Sequence, residues 1–257
     1  MPTITVYKTN DIARIIGIHV NTVRLYEVCG LIPRPERRSN GYRVFTDLHI
    51  EQFRLARAAL KVEVLQNGLR KKAVDIIKTS AAGEYEAAAE KTAQYIRQVD
   101  REIKNAEEAI RITQHILSGN SECAPDPSLS FTRKEAAECL HVTIDTLRNW
   151  ELNGLFTAKR RKNGYRIYTG QDMERLKLIR SLRCANYSLS SILRMLHVLS
   201  ADPAADIREA IDTPGTDDDI ITACDKLLTS LHEAKENAYF VAGQIEKMKN
   251  MTAETLQ

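Results

Sequence analysis

Two segments of the chain carry nearly the same side chains in the same order. Residues 22–27 read Thr-Val-Arg-Leu-Tyr-Glu and residues 146–151 read Thr-Leu-Arg-Asn-Trp-Glu, 124 positions later. The sequence Asn-Gly-Tyr-Arg then follows in both segments, at 40–43 and at 163–166. The arginine guanidinium is a planar fork of donors that fits phosphate oxygens or a guanine edge, and tyrosine hydroxyls commonly bond phosphates. The repeated set therefore predicts contact with DNA.

The charge of the chain is distributed in agreement with this interpretation. Residues 1–75 contain 13 Lys and Arg against 7 Asp and Glu, and residues 130–200 contain 13 against 6, whereas residues 201–257 contain 5 against 12. The small net charge of +3 therefore hides a basic excess in both repeated segments. Such an excess is typical of surfaces that face a polyanion, although solvated charged faces are the common alternative.

The elements that position these side chains can be read from helix and turn signals. Thr132 and Glu135 form a capping box that starts a helix, and Thr143 is an N-cap for a second helix through Leu152. In each segment a glycine follows the second helix. Helices commonly end with a residue in the left-handed backbone conformation at this position, and that residue is usually glycine. A basic loop and an Asn-Gly turn between β-formers then predict a hairpin. The pattern in both segments is a helix-turn-helix followed by a wing.

Both segments resemble the DNA-binding domain of the MerR family of transcriptional regulators. The family pattern has Thr-Leu-Arg-Tyr-Tyr-Glu, then Gly-Leu, a basic loop and Asn-Gly-Tyr-Arg-x-Tyr, and the likeness covers residues 5–75 (the first copy) and 130–200 (the second copy). Leu25 and Asn149 replace the first Tyr of the family pair, and His19 replaces the usual Ser or Thr cap. The resemblance implies two tandem winged helix-turn-helix domains. The departures leave that fold in place but make the sequence preference unpredictable.

The resemblance assigns DNA contacts position by position, on the recognition helix and on the wing of each copy. In the first copy the candidates are Thr22, Arg24, Tyr26, Arg37, Arg38, Tyr42 and Arg43. In the second copy they are Thr146, Arg148, Trp150, Arg160, Arg161, Lys162, Tyr165 and Arg166. The four aromatic candidates could instead be core residues.

Neighbouring residues have structural interpretations. Glu27 and Glu151 are expected to form structural ion pairs rather than to contact DNA. The core is expected to include Val23, Leu147, Leu31 and Leu155.

Each half of the chain ends in a long amphipathic helix. Apolar and small residues recur in steps of four and three from Tyr85 to Leu117, and again from Ile220 to Met248. Such heptad spacing is typical of a coiled-coil seam. The predicted fold is mainly α: winged helix-turn-helix domains at 1–80 and 130–200, long helices at 84–117 and 217–250 forming an antiparallel coiled coil, and a linker at 118–129.

The seam can be formed in two ways. A helix of about 33 residues spans roughly 50 Å, and the linker could bridge up to about 40 Å, so one chain could pair its own two helices and imitate a dimer. Pairing between two chains is the alternative, and it would place four DNA-binding domains on one particle. We favour the monomeric pseudo-dimer.

Other classes of function have little support in the sequence. The five cysteines are scattered without a Cys-x-x-Cys pair, Cys139 and Cys224 fall at apolar helical positions that suggest the core, and we expect no metal or other cofactor. Cys123 resembles in location the metal-binding loop of metal-sensing relatives, but it has no second thiolate nearby in sequence. We find no enzyme motif and no catalytic residues, no signal peptide and no apolar run of membrane-spanning length. A cytoplasmic, nucleoid-associated protein is expected.

The predicted function is sequence-specific regulation of transcription. The partner is double-stranded DNA, and RNA polymerase is engaged indirectly at the promoter, since the resemblance implies a regulator that distorts promoter DNA. The alternative is an architectural or recombination-accessory DNA-binding protein with low sequence specificity.

Overall fold

The computed structural model describes residues 5–61, 68–118, 130–161, 164–214 and 225–255, and these are mainly helical with short strands. The chain divides into two compact units. One comprises residues 1–101 together with 230–257, and the other comprises residues 102–229. Each unit therefore contains one of the two copies and a segment of the other half's long helix.

The first unit contains a helix-turn-helix, a two-stranded wing and two further helices. Its elements are α1 (Thr9–Ile16), α2 (Val20–Val28), β1 (Glu36–Arg37), β2 (Arg43–Val44), α3 (Asp47–Leu60), α4 (Leu69–Ala81) and the first part of α5 (Tyr85–Leu117). β1 and β2 are antiparallel, and Tyr7 bridges to Phe45 beside them. Ile12, Val23 and Phe53 are fully buried in the core between these elements.

The second unit repeats this order. Its elements are β3 (Ser130–Phe131), α6 (Arg133–Cys139), α7 (Ile144–Leu152), β4 (Lys159–Arg160), β5 (Arg166–Thr169), α8 (Gly170–Cys184), α9 (Leu189–Ala201), α10 (Ile207–Asp212) and the start of α11 (Leu227–Thr255). The sheet is three-stranded with β5 in the middle. The predicted winged helix-turn-helix architecture, mainly α, is confirmed in both copies.

The turns form where the sequence predicted them. Gly30 and Gly154 have φ angles of 66° and 75° directly after α2 and α7, the left-handed conformation that glycine adopts without strain. In the first wing, Gly41 donates its N–H to the Arg38 carbonyl at 2.8 Å, and Arg38 donates to the Tyr42 carbonyl at 2.9 Å. Three residues, 39–41, therefore lie between the hydrogen-bonded Arg38 and Tyr42, a common hairpin connection.

Two of the core assignments are wrong in detail. Leu31 is only half-buried, and its neighbour Ile32 is the buried residue, while Val23, Leu147 and Leu155 are buried as expected. Cys139 is exposed because α6 turns its alanines, and not its last residue, toward the core. Cys224 lies outside the described residues.

The two long helices bury different widths of surface. In α11 every described member of the predicted stripe, from Leu227 to Met248, is buried. In α5 the buried band is wider: it includes Ala88 and Tyr95, whereas the predicted Ala89 is exposed. α5 packs against α4 as well as α11 here, since Tyr95 lines one small cavity with residues of both helices. Because α5 is buried on two sides, it buries more residues than the single coiled-coil seam predicted from the heptad spacing.

The ends of the long helices agree only partly with the prediction. α5 occupies 85–117, close to the predicted 84–117, but Leu117 is exposed. The predicted start of the second helix at 217 lies outside the described residues, which resume at 225, and α11 continues to Thr255 rather than 250.

Within the first unit, α5 and α11 contact each other antiparallel. Lys235 forms an ion pair with Asp100 at 2.7 Å, and Lys249 forms one with Glu86 at 3.4 Å. Further along, the Thr252 hydroxyl lies 3.5 Å from the Tyr85 hydroxyl. The contacting residue on α5 moves from 100 to 85 while its partner on α11 moves from 235 to 252, so the two helices run in opposite directions here. Coiled-coil packing along the full helices stays a prediction.

Candidate DNA-binding surface

Different caps start equivalent helices in the two copies. In the first copy the His19 ring Nδ1 accepts a hydrogen bond from the Asn21 backbone at 3.2 Å and caps α2. In the second copy the Thr143 hydroxyl accepts from the Thr146 backbone at 3.0 Å and caps α7. The imidazole satisfies a free backbone N–H as the hydroxyl does. The departure at His19 therefore leaves the recognition helix in place.

The recognition helices present their arginines to solvent. Arg24 on α2 and Arg148 on α7 are exposed, and neither has a hydrogen-bond or ion-pair partner within the described part of the chain. One residue earlier on each helix, Val23 and Leu147 are fully buried. The inner side thus anchors the helix, and the outer side carries a guanidinium available for phosphate or a base edge. Thr22 and Thr146 are half-buried at the helix starts.

The aromatic residues of the recognition helices serve mainly to pack the fold. Trp150 is 4% exposed, which agrees with the alternative that it is a core residue, and its contact with DNA stays a prediction. A ring of this size buries a large apolar area, which explains its place in the core. Tyr26, at the equivalent position, is half-buried and stacks on Phe53 with ring centroids 5.2 Å apart. Burial raises the pKa of its hydroxyl.

An ion pair joins the recognition helix to the wing in both copies. Glu27 accepts a hydrogen bond from the Arg43 Nε at 2.5 Å, and Glu151 accepts one from the Arg166 Nε at 2.8 Å. Donating this hydrogen bond to Glu151 raises the pKa of Arg166. The structural role expected for both glutamates is confirmed. Arg43 and Arg166 hold the wing to the helix, and their contact with DNA stays a prediction.

The first wing exposes a mixed set of charges. Tyr42 is 71% exposed, and Arg38 is exposed without a side-chain partner in the described residues. The Arg37 guanidinium contacts its own domain, because it lies 3.5 Å from both the Glu27 carboxylate and the Gly41 carbonyl oxygen. One of the two arginines of this loop is therefore partly neutralised.

The second wing exposes more free positive charge. Arg160 has no side-chain partner among the described residues, and Tyr165 is 73% exposed. Arg161 lies 3.5 Å from the Ser130 hydroxyl, and its charge adds, after the hydrogen bonds with Thr132, to the lowered pKa of Glu135. Lys159 stands where the first wing has Glu36. Lys162, the remaining candidate of this wing, lies outside the described residues.

Comparison with known proteins identifies the family. The profile of the MerR HTH family of regulatory proteins matches residues 7–71 and 131–199, together more than half of the chain. The chain belongs to the MerR HTH family. The two matched regions coincide with the two copies, which confirms the tandem arrangement.

Several curated regulators are similar to part of the chain. The chain is 32% identical over 118 residues to the "Probable heavy metal-dependent transcriptional regulator" of Haemophilus influenzae, which is 46% of this chain and 76% of that protein. It is 40% identical over 53 residues to the HTH-type transcriptional regulator CueR of Escherichia coli O157:H7, which is 21% of this chain and 39% of CueR. The HTH-type transcriptional regulator ZntR of Escherichia coli strain K12 is 38% identical over 65 residues, 25% of this chain and 46% of ZntR.

The alignments with CueR and ZntR cover only part of those proteins. The chain spans less than half the length of CueR and of ZntR. All three relatives are named as transcriptional regulators and not as enzymes, in agreement with the expectation from the sequence. No solved structure gives a significant match to the chain.

The structure adds one pair of cations to the surface of this MerR-family chain. Arg57 on α3 lines a groove with Tyr26, and Arg180 on α8 lines a groove with Thr146 and Asn149. Both arginines therefore lie beside a recognition helix, at positions 123 residues apart. Sequence reasoning missed them because they follow the wing in the chain. The sequence did contain a signal for them, because the same offset of 123 residues relates the two wings.

Other kinds of site have no support in the described ranges. There, no group of three or more His, Cys, Asp or Glu side chains is placed to hold a metal ion. Cys29, Cys139 and Cys184 are free thiols, and Cys123 lies outside these ranges. None of the helices described combines the length and apolar character that a membrane span requires.

Proposed function

We propose that this MerR-family chain is a sequence-specific DNA-binding regulator of transcription that uses both of its winged helix-turn-helix domains. The observation that carries the proposal is the equivalent placement of Arg24 and Arg148. Both are exposed on the outer side of their recognition helix and have no side-chain partner among the described residues. A domain kept only as a structural remnant would have no need of an unpaired cation at this place. Because most of the binding energy to DNA comes from neutralised phosphates, the exposed wing arginines add affinity without specificity.

We further propose that one chain takes the place of a dimer. Two observations support this. Each compact unit combines one copy with part of the long helix that belongs to the other half of the chain. In the first unit, α11 also contacts α3 of the first copy, where Lys247 forms an ion pair with Glu51 at 3.0 Å. Such an exchange of helices is what two subunits of a dimer would supply to each other. The competing assembly, in which α5 and α11 pair between chains, would have twice the mass.

The mode of action we propose is distortion of promoter DNA. As the resemblance implies, MerR-like regulators deform an over-long promoter spacer so that RNA polymerase engages both promoter elements. Deforming a duplex has a sequence-dependent energy, so bases between the half-sites should affect affinity without being touched. Fluorescence energy transfer between dyes at the two ends of the selected duplex tests this. A shorter end-to-end distance on binding is expected, and an unchanged distance would contradict distortion by bending.

The experiment that tests the proposed function is selection of binding sites from a random DNA pool with the full chain. A regulator should bind its selected site about 10³–10⁷ times more tightly than random DNA. An architectural protein with low specificity would show a ratio near one, and that result would overturn the proposal. We expect the selected site to lie in promoters of bacterial chromosomal DNA, where this protein would meet the nucleoid and RNA polymerase.

A further inference from the structure

The outer faces of the two recognition helices differ, although the helices are equivalent. Residues at spacings of three and four lie on one face of a helix. The exposed face of α2 and its C-cap consists of Asn21, Arg24, Leu25, Val28 and Cys29. The equivalent face of α7, 124 positions later, consists of Asp145, Arg148, Asn149, Leu152 and Asn153. Among the five equivalent pairs, only Arg24 and Arg148 hold the same residue type.

The first difference lies at the N-terminal end of the helix, the part that meets base edges in helix-turn-helix proteins. Asn21 in α2 corresponds to Asp145 in α7, and both are exposed with no side-chain hydrogen bond among the described residues. An amide both donates and accepts, so it matches the N6 and N7 of adenine. A carboxylate accepts only, and the major groove offers it the amino donor of cytosine. In the free protein the carboxylate suits the first turn of α7, where the helix dipole favours negative charge. At the DNA the phosphates would repel it, and a hydrogen bond from the cytosine amino group is the contact that offsets this repulsion.

The second difference lies one turn further along the same face. Leu25 is 56% exposed in α2, and Asn149 is exposed at the equivalent position in α7. An exposed leucine has no hydrogen bond to make, and the apolar group in the major groove is the methyl group of thymine. The Asn149 amide accepts a long hydrogen bond of 3.3 Å from Asn153 and keeps the capacity to pair with adenine.

We propose that the two copies read half-sites of different base composition. Asn21 and Leu25 direct the first copy to adenine and to the methyl group of thymine. Asp145 and Asn149 direct the second copy to cytosine and adenine. Arg24 and Arg148 supply the contact that both half-sites share. This inference rests on the proposed function, because it requires both recognition helices to enter the major groove.

The test exchanges the two faces in the full chain. Site selection is carried out with the natural protein, with Asn21→Asp plus Leu25→Asn, and with Asp145→Asn plus Asn149→Leu. We expect the natural protein to select one site with unlike halves and each exchanged variant to select a site with two like halves. Replacing one preferred base in the matching half should weaken binding roughly five- to hundredfold, and the exchange should abolish that penalty in the altered half only.

Control variants keep the outcomes distinct. Asp145→Asn alone is nearly isosteric at an exposed position, so it retains the fold and should by itself relax the preference for cytosine. Circular dichroism melting checks that each variant is folded. If the natural protein selects two like halves, or the exchanged variants select the unchanged site, the inference is wrong and the proposed function stands. If the natural protein selects no site at all, the proposed function fails and the inference fails with it.

Discussion

The two copies agree in what holds the fold together and differ in what faces outward. Val23 and Leu147 are both fully buried under the recognition helix, and an ion pair to the wing arginine is present in each copy. On the outer side, Leu25 faces solvent where the second copy has Asn149. The duplicated framework is therefore held by buried and ion-paired positions, whereas the exposed positions have been free to diverge.

Inside the framework the copies also differ at a few supporting positions. Trp150 is buried where Tyr26 is half-buried. The capping box that starts the helix after the wing is completed by His49 in the first copy and by Asp172 in the second. Each side chain accepts a hydrogen bond from the backbone N–H of the N-cap threonine, Thr46 or Thr169. These differences make the two units respond unequally to the same kind of change.

The largest inequality is expected from truncation of the paired aromatic residues. Trp150→Ala should reduce the free energy of unfolding by about 3–5 kcal/mol, because a buried ring is replaced by a cavity. Tyr26→Ala should reduce it by less, since part of that ring already faces solvent. Chemical denaturation followed by circular dichroism compares the two variants. Equal losses would contradict the different burial of the two rings.

Acid should affect the first unit more than the second. Burial lowers the pKa of His49 from 6.5 to about 4. In this pH range the unfolded chain therefore binds a proton on His49 that the folded chain does not bind. The free energy of unfolding should fall by at most roughly 3 kcal/mol as the pH is lowered from about 6.5 to about 4. Protonation would also remove the Nδ1 acceptor that caps α3 at 3.1 Å.

His49→Asp is the matched variant for this prediction, because it installs the cap of the second copy. The slope of stability against pH between 6.5 and 4 should become shallower in this variant when urea melts are compared. An unchanged slope would show that another group titrates in this range.

Next in size is the contribution of each recognition helix to DNA binding. Arg24→Ala and Arg148→Ala should each weaken binding to the selected site by about 1–3 kcal/mol, because each removes an unpaired guanidinium from an outer face. Titration of labelled DNA with each variant gives the two values. If Arg148→Ala leaves affinity unchanged while Arg24→Ala abolishes it, the second copy is not used for binding.

The smallest expected difference is between the wings. Replacing Arg160 and Arg161 by Ala should reduce the slope of log affinity against log salt by about 1.8, since each phosphate contact contributes about 0.9. The same change at Arg37 and Arg38 should reduce it by less, because Glu27 already neutralises Arg37 in part. Binding titrations at several salt concentrations measure both slopes. A larger reduction from the first wing would contradict the account of the free charges.

Much of this architecture could be predicted because its signals are local. The capping box of Thr132 and the glycine at 154 determine helix ends within a few residues of themselves, and both were located correctly. The errors, at Leu31 and Cys139, arose where tertiary packing decides. The same holds for the choice between two roles that the sequence left open at Trp150. Whether Trp150 faces DNA or the core depends on which elements cover α7, and helical spacing alone does not contain that information.

The long helices show the same limit. The stripe of α11 was predicted well because one narrow face is buried. In α5 a second neighbour, α4, widens the buried band to include Tyr95, and that contact is invisible in the heptad pattern. Likewise Arg57 and Arg180 join the candidate surface only when α3 and α8 fold back beside the recognition helices.

The central claim is that the two unlike copies of one chain bind one composite site. Light scattering of the protein alone and bound to its selected duplex tests it most directly. We expect one chain of 29.0 kDa in the free protein and one chain per duplex in the complex. A stable particle of twice that mass, with two chains on each duplex, would show that the long helices pair between chains and would contradict the account.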